Sequence, residues 1–226
     1  MRGVLSADAR RGSAAAWSWP APEFSIVNDI APTFIPLCIP TLASKVPTDP
    51  GWLHEPKFDG WRLQIVKEGD HVAVFTRGKH DISKRLGSFT RALVPCARSC
   101  VIDAELLSSD GNFWGISTAM SVEHITIAAF DLMYLDGVDL RPEPLVDRKA
   151  RLTELVKRAD LPNLIQVAHF DDGAALLAAA EVHGLEGVVS KKRDAPYRSG
   201  RRPEWVKVKS QAWLEANRER WRAFVR

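Results

Sequence analysis

The sequence predicts an α+β fold, because patterns typical of strands and of helices both occur in it. Apolar and polar residues alternate over 61–74 on either side of Gly69, which is typical of a β-hairpin. Apolar runs at 101–107 and 125–135 predict two further strands. An apolar stripe with helical spacing predicts an amphipathic helix at 145–159.

Composition excludes several classes of protein. The chain has 226 residues, of which 46% are hydrophobic and 26% charged, as in a globular protein of one large or two small domains. A net charge of +3 permits a polyanionic partner, and no apolar run is long enough to span a membrane. Three cysteines without a secretory signal favour a reducing compartment, and Cys96 and Cys100 lack the second pair of ligands that a zinc site needs.

The N-terminal part of the chain is expected to be a flexible segment over residues 1–33. Prolines recur between 32 and 50, so this stretch should be extended and pack along the domain rather than form a helix. We therefore place the folded domain at 34–210 and expect a final helix at 211–226.

Lys57 precedes the predicted hairpin and stands between Glu55 and Asp59, next to Gly60. A free lysine is a poor nucleophile, since a pKa of about 10.4 makes its neutral amine cost roughly 4.6 kcal/mol at pH 7. A pocket that excludes water from the amine, or that places other cations near it, lowers this cost. Taken alone, the pattern fits an activated lysine and a surface ion pair equally well.

Two acidic residues share one face of the predicted strand at 101–107. Strand geometry places Asp103 and Glu105 together, opposite the apolar side chains. Carboxylates in an apolar strand must be solvated, paired or bound to a metal. The next strand contains Phe130, which by residue type alone would be a core side chain.

Further helices are predicted at 84–95 and from about residue 172, where Asp172 can cap the start and Gly184 suits the end. We interpret this last helix and the one at 145–159 as scaffold. In the helix at 145–159, charged residues that include Arg148 and Lys149 lie between the apolar positions.

The last part of the sequence carries an acid, a basic segment and a pair of lysines. Glu186 stands beside a glycine at the start of an apolar strand, where it could simply complete a turn. Residues 191–202 form the most basic stretch and fit either a solvated loop or a surface that follows phosphates. In the last predicted strand, Lys207 and Lys209 lie on one face and repel each other unless an anion lies between them.

In their order along the chain, these segments resemble the motifs of the covalent nucleotidyltransferases, a family that contains ATP-dependent DNA ligases, RNA ligases and mRNA capping enzymes. Residues 57–62 are similar to Lys-x-Asp-Gly-x-Arg, and 101–106 resemble the Asp-Gly-Glu segment, with Ala104 in place of the commoner glycine. The other three motifs are matched by Phe130-Asp131, Glu186-Gly187 and Lys207-x-Lys209. The resemblance covers about residues 34–209 and points to the catalytic domain of bacterial repair-type ATP-dependent DNA ligases.

The resemblance implies an ATP-grasp-like nucleotidyltransferase domain, in which two largely antiparallel sheets flanked by helices enclose a nucleotide cleft. It implies that Lys57 attacks the α-phosphate of ATP, that Phe130 stacks on the purine, and that Glu105 and Glu186 hold Mg²⁺ or Mn²⁺. The residues expected to bind the nucleotide are Glu55, Lys57, Arg62, Arg77, Glu105, Phe130, Lys207 and Lys209. Those expected to bind DNA are Lys191, Lys192, Arg198, Arg201 and Arg202.

The implied reaction seals nicks or breaks in double-stranded DNA through a lysyl-AMP intermediate. We expect a monomer that acts in the bacterial cytoplasm at the nucleoid, with a DNA-end-bridging repair protein as partner and with no OB domain after the final helix. Two alternatives stay open: an RNA-joining or capping-type transferase, and a nucleotide- or DNA-binding accessory protein whose catalysis has decayed. A capping enzyme would prefer GTP.

Overall fold

The computed structural model describes residues 33–108 and 125–218, which form two β-sheets with helices packed against them. The strands are β1 Cys38–Leu42, β2 Trp52–Lys57, β3 Trp61–Glu68, β4 His71–Thr76, β5 Ser99–Ser108, β6 Ile125–Leu135, β7 Val138–Asp139, β8 Leu164–Gln166, β9 Gly187–Lys192 and β10 Gly200–Lys209. The α-helices are α1 Gly87–Leu93, α2 Leu145–Ala159, α3 Gly173–His183 and α4 Gln211–Ala216, and 3₁₀ helices at Ser83–Leu86 and Val94–Cys96 flank α1. The predicted α+β class is confirmed.

The four-stranded sheet has the order β1-β10-β9-β2. Strand β9 pairs antiparallel with both β10 and β2, whereas β1 pairs parallel with β10. Register places Lys57 of β2 opposite Gly187, and Lys209 of β10 opposite the same glycine. The start of β9 therefore lies between the two strand ends that carry these lysines.

The second sheet has the order β4-β3-β5-β6-β7, and β8 pairs parallel with β6 on the edge that faces away from β5. Strands β3 and β4 form the predicted hairpin, with its turn at Gly69. Register on β5 places Arg62 of β3 opposite Glu105. Both predicted acids, Asp103 and Glu105, thus lie on the strand next to the hairpin.

Two of the helices have the predicted bounds. Helix α2 coincides with 145–159, and α3 begins after Asp172, whose carboxylate accepts a hydrogen bond of 2.9 Å from the backbone N–H of Ala175. The predicted helix at 84–95 is instead α1 with two 3₁₀ turns, since Pro95 has no N–H to extend an α-helix. Helix α4 begins where the final helix was expected but ends at Ala216, where Asn217 leaves the helical conformation, and residues from 219 onward lie outside the described residues.

The main hydrophobic core lies between the six-stranded sheet and helices α1 and α2. It combines β3 and β5 side chains such as Leu63 and Ile102 with Phe89 of α1 and Leu152 of α2. A smaller cluster joins the two sheets and consists of Cys38, Val66, Val101, Met133, Tyr197 and Trp205. Burial of each large side chain contributes about 1.5–3 kcal/mol, so this cluster holds the two sheets together. In residues 33–108 and 125–218, no helix is long and apolar enough to cross a membrane.

Candidate active site

The two sheets line one open cavity of about 720 Å³, a volume suited to a small-molecule ligand. Helix α4 adds Trp213 to its wall. Eleven predicted site residues line this cavity: Glu55, Lys57, Arg62, Arg77, Glu105, Phe130, Glu186, Lys191, Arg201, Lys207 and Lys209. The structure therefore brings together every residue expected to bind the nucleotide, whereas Lys192, Arg198 and Arg202 lie away from the cavity wall.

The Lys57 side chain forms an ion pair inside the cavity. Its Nζ lies 2.6 Å from Oε2 of Glu186, and the other oxygen of that carboxylate pairs with the Nζ of Lys209. The Glu186 side chain is only 7% exposed, so this carboxylate bridges two lysines with little competition from water. A nucleophile candidate, an acid and a second cation thus meet at one point.

Two glycines allow the backbone to come close at this point. Gly187 has φ +145°, and a side chain there would collide with the Val208 carbonyl of the neighbouring strand. At Gly60, which follows Lys57 by three residues, an added Cβ would collide with the Leu106 carbonyl. Both positions need glycine, because the strands that carry the acids and the lysines pass within contact distance there.

The lysines of β10 perturb one another. Burial, followed by the nearby charges of Lys57 and Lys209, lowers the pKa of Lys207 to about 8. Burial also lowers the pKa of Lys209, although the Glu186 carboxylate opposes that shift. This cluster carries more positive than negative charge, as a site for a polyphosphate requires.

The opposite wall carries Glu105 and Arg62. Burial raises the pKa of Glu105 to about 7, against the charges of Lys57 and Arg62. The Nε and Nη2 of Arg62 donate to the two oxygens of Asp103, at 3.0 and 2.7 Å. Burial opposes the guanidinium charge, but the Asp103 carboxylate outweighs it and raises the pKa of Arg62 above its usual range. Asp103 therefore holds this arginine in one orientation.

Tyr197 lies behind the cavity wall and supports Asp103, a role that the sequence patterns did not reveal. Its hydroxyl donates to Asp103 Oδ2 at 2.8 Å and accepts from the backbone N–H of Cys38 at 2.9 Å. Burial, and then the charge of Asp103, raises the pKa of Tyr197 well above its usual range. Tyr197 lies in the irregular segment between β9 and β10, where no periodic pattern marks a buried side chain.

Glu55 is held between two buried lysines. Lys149 Nζ lies 2.6 Å from Oε1, and Lys191 Nζ lies 2.6 Å from Oε2. The prediction that Lys191 contacts DNA is therefore corrected, because this residue is 1% exposed and faces the cavity. Its ammonium lies 4.4 Å from the Phe130 ring centroid and 4.1 Å from that of Trp205. Val189 and Lys191 share the face of β9 that lines the cavity, so this lysine points inward and not toward the outer surface.

Arg148 and Lys149 were expected on the polar side of α2, but both are buried. Arg148 and Asp131 are fully buried and form a bidentate pair, with N···O distances of 2.8 and 2.9 Å. Arg148 Nη1 also donates to the backbone carbonyls of Glu143 and Ala195. Asp131 follows Phe130 on β6, so Arg148 supports the strand that places this aromatic ring in the cavity.

The remaining predicted DNA contacts are exposed. Lys192, Arg198, Arg201 and Arg202 have exposed side chains, and Arg201 also lines the cavity. Within residues 33–108 and 125–218, the one ion pair of this group joins Arg198 to Glu204 at 3.9 Å, and it holds the arginine weakly. These four side chains form an accessible basic surface beside the cavity, which we call the basic surface.

Glu105 and Glu186 are the acids that could hold a divalent cation in the cavity. Residues 33–108 and 125–218 contain no group of three or more His, Cys, Asp or Glu side chains arranged for a metal. Mg²⁺ commonly takes only one or two carboxylates and completes its shell with phosphate oxygens and water. The two carboxylates therefore fit Mg²⁺ or Mn²⁺ when a polyphosphate supplies further ligands.

The fold is that of a nucleotidyltransferase domain, and comparison with known proteins agrees. The family model described as "ATP dependent DNA ligase domain" matches residues 40–209. The chain belongs to this family. The multifunctional non-homologous end joining protein LigD of Pseudomonas aeruginosa is 37% identical over 183 residues, which cover 76% of this chain and 22% of that protein.

Two solved structures share the fold. The ligase domain of LigD from M. tuberculosis has a TM-score of 0.61 and 28% identity, covering 75% of this chain and 59% of that one. A mycobacterial DNA ligase D complexed with ATP and MES has a TM-score of 0.59 and 28% identity, covering 75% and 60% of the two chains. The present chain thus spans about a fifth of the curated relative and under two thirds of these solved chains.

Proposed function

We propose that this chain transfers AMP from ATP to DNA through Lys57, as the nucleotidyltransferase part of an ATP-dependent DNA ligase. The observation that carries the proposal is the cluster in which Lys57, Glu186 and Lys209 meet in the cavity, with Lys57 2.6 Å from the carboxylate. A lysine held for surface stability alone would not need this inward position.

In the first step, the neutral amine of Lys57 attacks the α-phosphorus of ATP. A P–N bond forms, the bond from the α-phosphorus to the bridging oxygen breaks, and its electron pair leaves with pyrophosphate. Glu186 lies within hydrogen-bond distance of the amine and orients it, and the proton that the nitrogen loses passes to water. Lys207 and Lys209 offset the charge that develops on the phosphate oxygens.

The nucleotide lies along β9 in this proposal. Gly187, at one end of the strand, faces Lys57 and Lys209, whereas Lys191 is four residues further on and lies against Phe130 and Trp205. Four residues span about 13 Å at roughly 3.3 Å each, enough to separate a base from its α-phosphate. The aromatic end takes adenine, with Glu55 and Lys191 at its polar edge. Arg62 and Glu105 face the ribose between the two ends.

Mg²⁺ or Mn²⁺, held by Glu105 and Glu186, would neutralise phosphate charge when ATP is bound. In later steps AMP passes from Lys57 to a DNA 5′-phosphate, and the strand's 3′-hydroxyl then displaces AMP to close the nick. The basic surface beside the cavity supports binding of the duplex through its phosphates. We also propose that the protein is a monomer and that it acts on DNA in the cytoplasm. We propose as its partner a protein that bridges DNA ends.

The proposal is tested by incubating the protein with ATP labelled at the α-phosphate, separately with wild type, Lys57→Ala and Lys57→Arg. We expect label on the wild-type protein only, because arginine keeps the charge but has no amine that can form the phosphoramidate. Mass spectrometry of a digest should find AMP on the peptide that contains Lys57.

Three outcomes would contradict it. Wild-type protein without label, under conditions where it binds ATP, would indicate a non-catalytic binding protein. Label from GTP in preference to ATP would indicate a capping-type enzyme. Label from ATP, followed by transfer to nicked RNA but not to nicked DNA, would indicate an RNA-joining enzyme.

A further inference from the structure

Helix α4 brings one more side chain to the phosphate end of the cavity. The helix is fixed at its start, because the Glu181 carboxylate of α3 accepts hydrogen bonds from the backbone N–H groups of Gln211 and Ala212, at 2.7 and 2.9 Å. The Ser210 hydroxyl donates to the Leu185 carbonyl at 2.6 Å, next to Glu186. These contacts tie α4 to the segment that carries the central carboxylate.

The side chain that α4 contributes is Trp213, which is 6% exposed and lines the cavity. Its indole Nε1–H donates to Oδ2 of Asp59 at 3.2 Å, and its ring centroid lies 3.8 Å from the Nζ of Lys209. One indole thus contacts the residue two positions after Lys57 and the lysine that shares Glu186 with Lys57.

These two contacts restrict groups that would otherwise move. A lysine has a flexible four-carbon stem, so its ammonium can adopt many positions near a carboxylate. The Trp213 ring limits the positions open to the Lys209 ammonium, since a cation is attracted to the face of an aromatic ring. The hydrogen bond to Asp59 fixes the turn that follows Lys57.

We propose that Trp213 is a positioning residue for lysine adenylation, which acts by holding Lys209 and Asp59 at fixed places around Lys57. The inference rests on the proposed function, because it concerns the step in which Lys57 acquires AMP. Trp213 touches neither reacting atom in this account. Its contribution is to the geometry of Lys209, which meets the phosphates, and of the strand end that carries Lys57.

If Trp213 only stabilised the fold, it would make the same contacts. The control is therefore a second tryptophan with similar burial and similar contacts that lies outside the cavity. Trp52 is 7% exposed, its Nε1–H donates to Asp49 Oδ2 at 2.7 Å, and its ring centroid lies 5.4 Å from the Nζ of Lys192. It has the same chemistry as Trp213, yet it is not among the residues that line the cavity.

The test compares Trp213→Leu with Trp52→Leu in the full chain, by single-turnover labelling from α-labelled ATP at saturating ATP and Mg²⁺, together with thermal unfolding. Both variants should lose similar thermal stability. Trp213→Leu should slow labelling roughly 10- to 100-fold, the scale expected when a reacting group is misplaced by about 1 Å. Trp52→Leu should stay within about twofold of wild type, since it is remote from the reaction. Trp213→Phe keeps the ring but loses the N–H, and should give an intermediate rate.

A double-mutant cycle with Lys209→Met separates positioning from stability. If Trp213 acts largely through Lys209, Trp213→Leu should slow the Lys209→Met protein by only about threefold, the part due to Asp59. Equal slowing in both backgrounds, or equal rates for Trp213→Leu and Trp52→Leu, would overturn the inference while leaving the proposed function intact. Wild-type protein that takes no label overturns the proposed function itself. If Trp213→Leu does not fold, Trp213→Phe carries the same comparison with Trp52→Phe.

Discussion

The Nζ of Lys149 lies 2.6 Å from Oε1 of Glu55, although Lys149 belongs to a helix outside the sheets and Glu55 to the strand that carries Lys57. Lys191 occupies the other oxygen of the same carboxylate. All three groups are at most 2% exposed, so two buried ammonium groups share one buried carboxylate. The outer helix thereby reaches the wall of the nucleotide cavity.

This arrangement predicts an order of stability among variants. Glu55→Gln leaves two buried cations without an anion and should cost about 3–5 kcal/mol of unfolding free energy, as for other broken buried ion pairs. Lys149→Met leaves Glu55 and Lys191 as a balanced pair and should cost only about 1–3 kcal/mol. Urea denaturation of both variants measures the two values. A larger loss for Lys149→Met than for Glu55→Gln would contradict this charge balance.

Lys207 predicts a specific dependence of stability on pH. Its pKa of about 8 lies below the ordinary lysine value of 10.5, so between these pH values the unfolded chain binds more protons than the folded one. Stability should therefore rise with pH over this window, and the penalty from Lys207 is complete below pH 8. Lys207→Met should stabilise the ligand-free protein at pH 7, and this gain should vanish near pH 10.5. Thermal unfolding across pH, with exposed Lys157→Met as control, checks the sign. A gain that is the same at both pH values would refute it.

The two candidate metal ligands should differ in their effect on folding. Since burial raises the pKa of Glu105 to about 7, Glu105→Gln should change the stability of the metal-free protein by less than about 1 kcal/mol at pH 6. Glu186→Gln removes the charge that two lysines share, and should cost about 3 kcal/mol. Both variants should nevertheless acquire label from α-labelled ATP slowly at limiting Mg²⁺. A higher Mg²⁺ concentration should restore part of the labelling rate of Glu105→Gln. Normal labelling of both variants at limiting Mg²⁺ would exclude the metal role.

The basic surface predicts a change in how salt affects DNA binding. Replacing Arg198, Arg201 and Arg202 with Ala should flatten the slope of log K against log salt by about 2–3, if each arginine neutralises one phosphate. ATP binding should change little. A matched variant in which Lys84, Arg91 and Lys157 become Ala removes the same charge from exposed positions elsewhere. An equal change of slope in both variants would show that net charge, and not this surface, sets the affinity.

Local patterns predicted the elements well, and the buried charges poorly. The hairpin at 61–74 and the helix at 145–159 follow from periodicity that neighbouring residues encode. Arg148 and Lys149 appeared exposed because periodicity treats charge as a sign of solvent, whereas their partners Asp131 and Glu55 lie 17 and 94 residues away. Such pairings depend on how strands and helices pack, which no local window contains.

The same limit applies within the site. The lysines, Glu105 and Glu186 were predicted because their motifs are short and contiguous. Tyr197 and Trp213 were missed, since each acts on a motif residue from a distant segment. In the final helix no local pattern marked Trp213, which the structure buries against the cavity more deeply than its neighbour Leu214.

The order β1-β10-β9-β2 also determines when the smaller sheet can form during synthesis on the ribosome. Strands β3 to β8, residues 61–166, can pair with one another as they emerge, since their partners are all among them. Strands β1 and β2 must wait until residues 187–209 have been synthesised, because β9 and β10 are their partners. At typical elongation rates of roughly 5–20 residues per second, this wait lasts about 7–30 seconds. A nascent chain released before residue 187 would therefore have every strand of its larger sheet but only two of the four strands of the smaller one, and so would lack the cavity wall that β9 and β10 form.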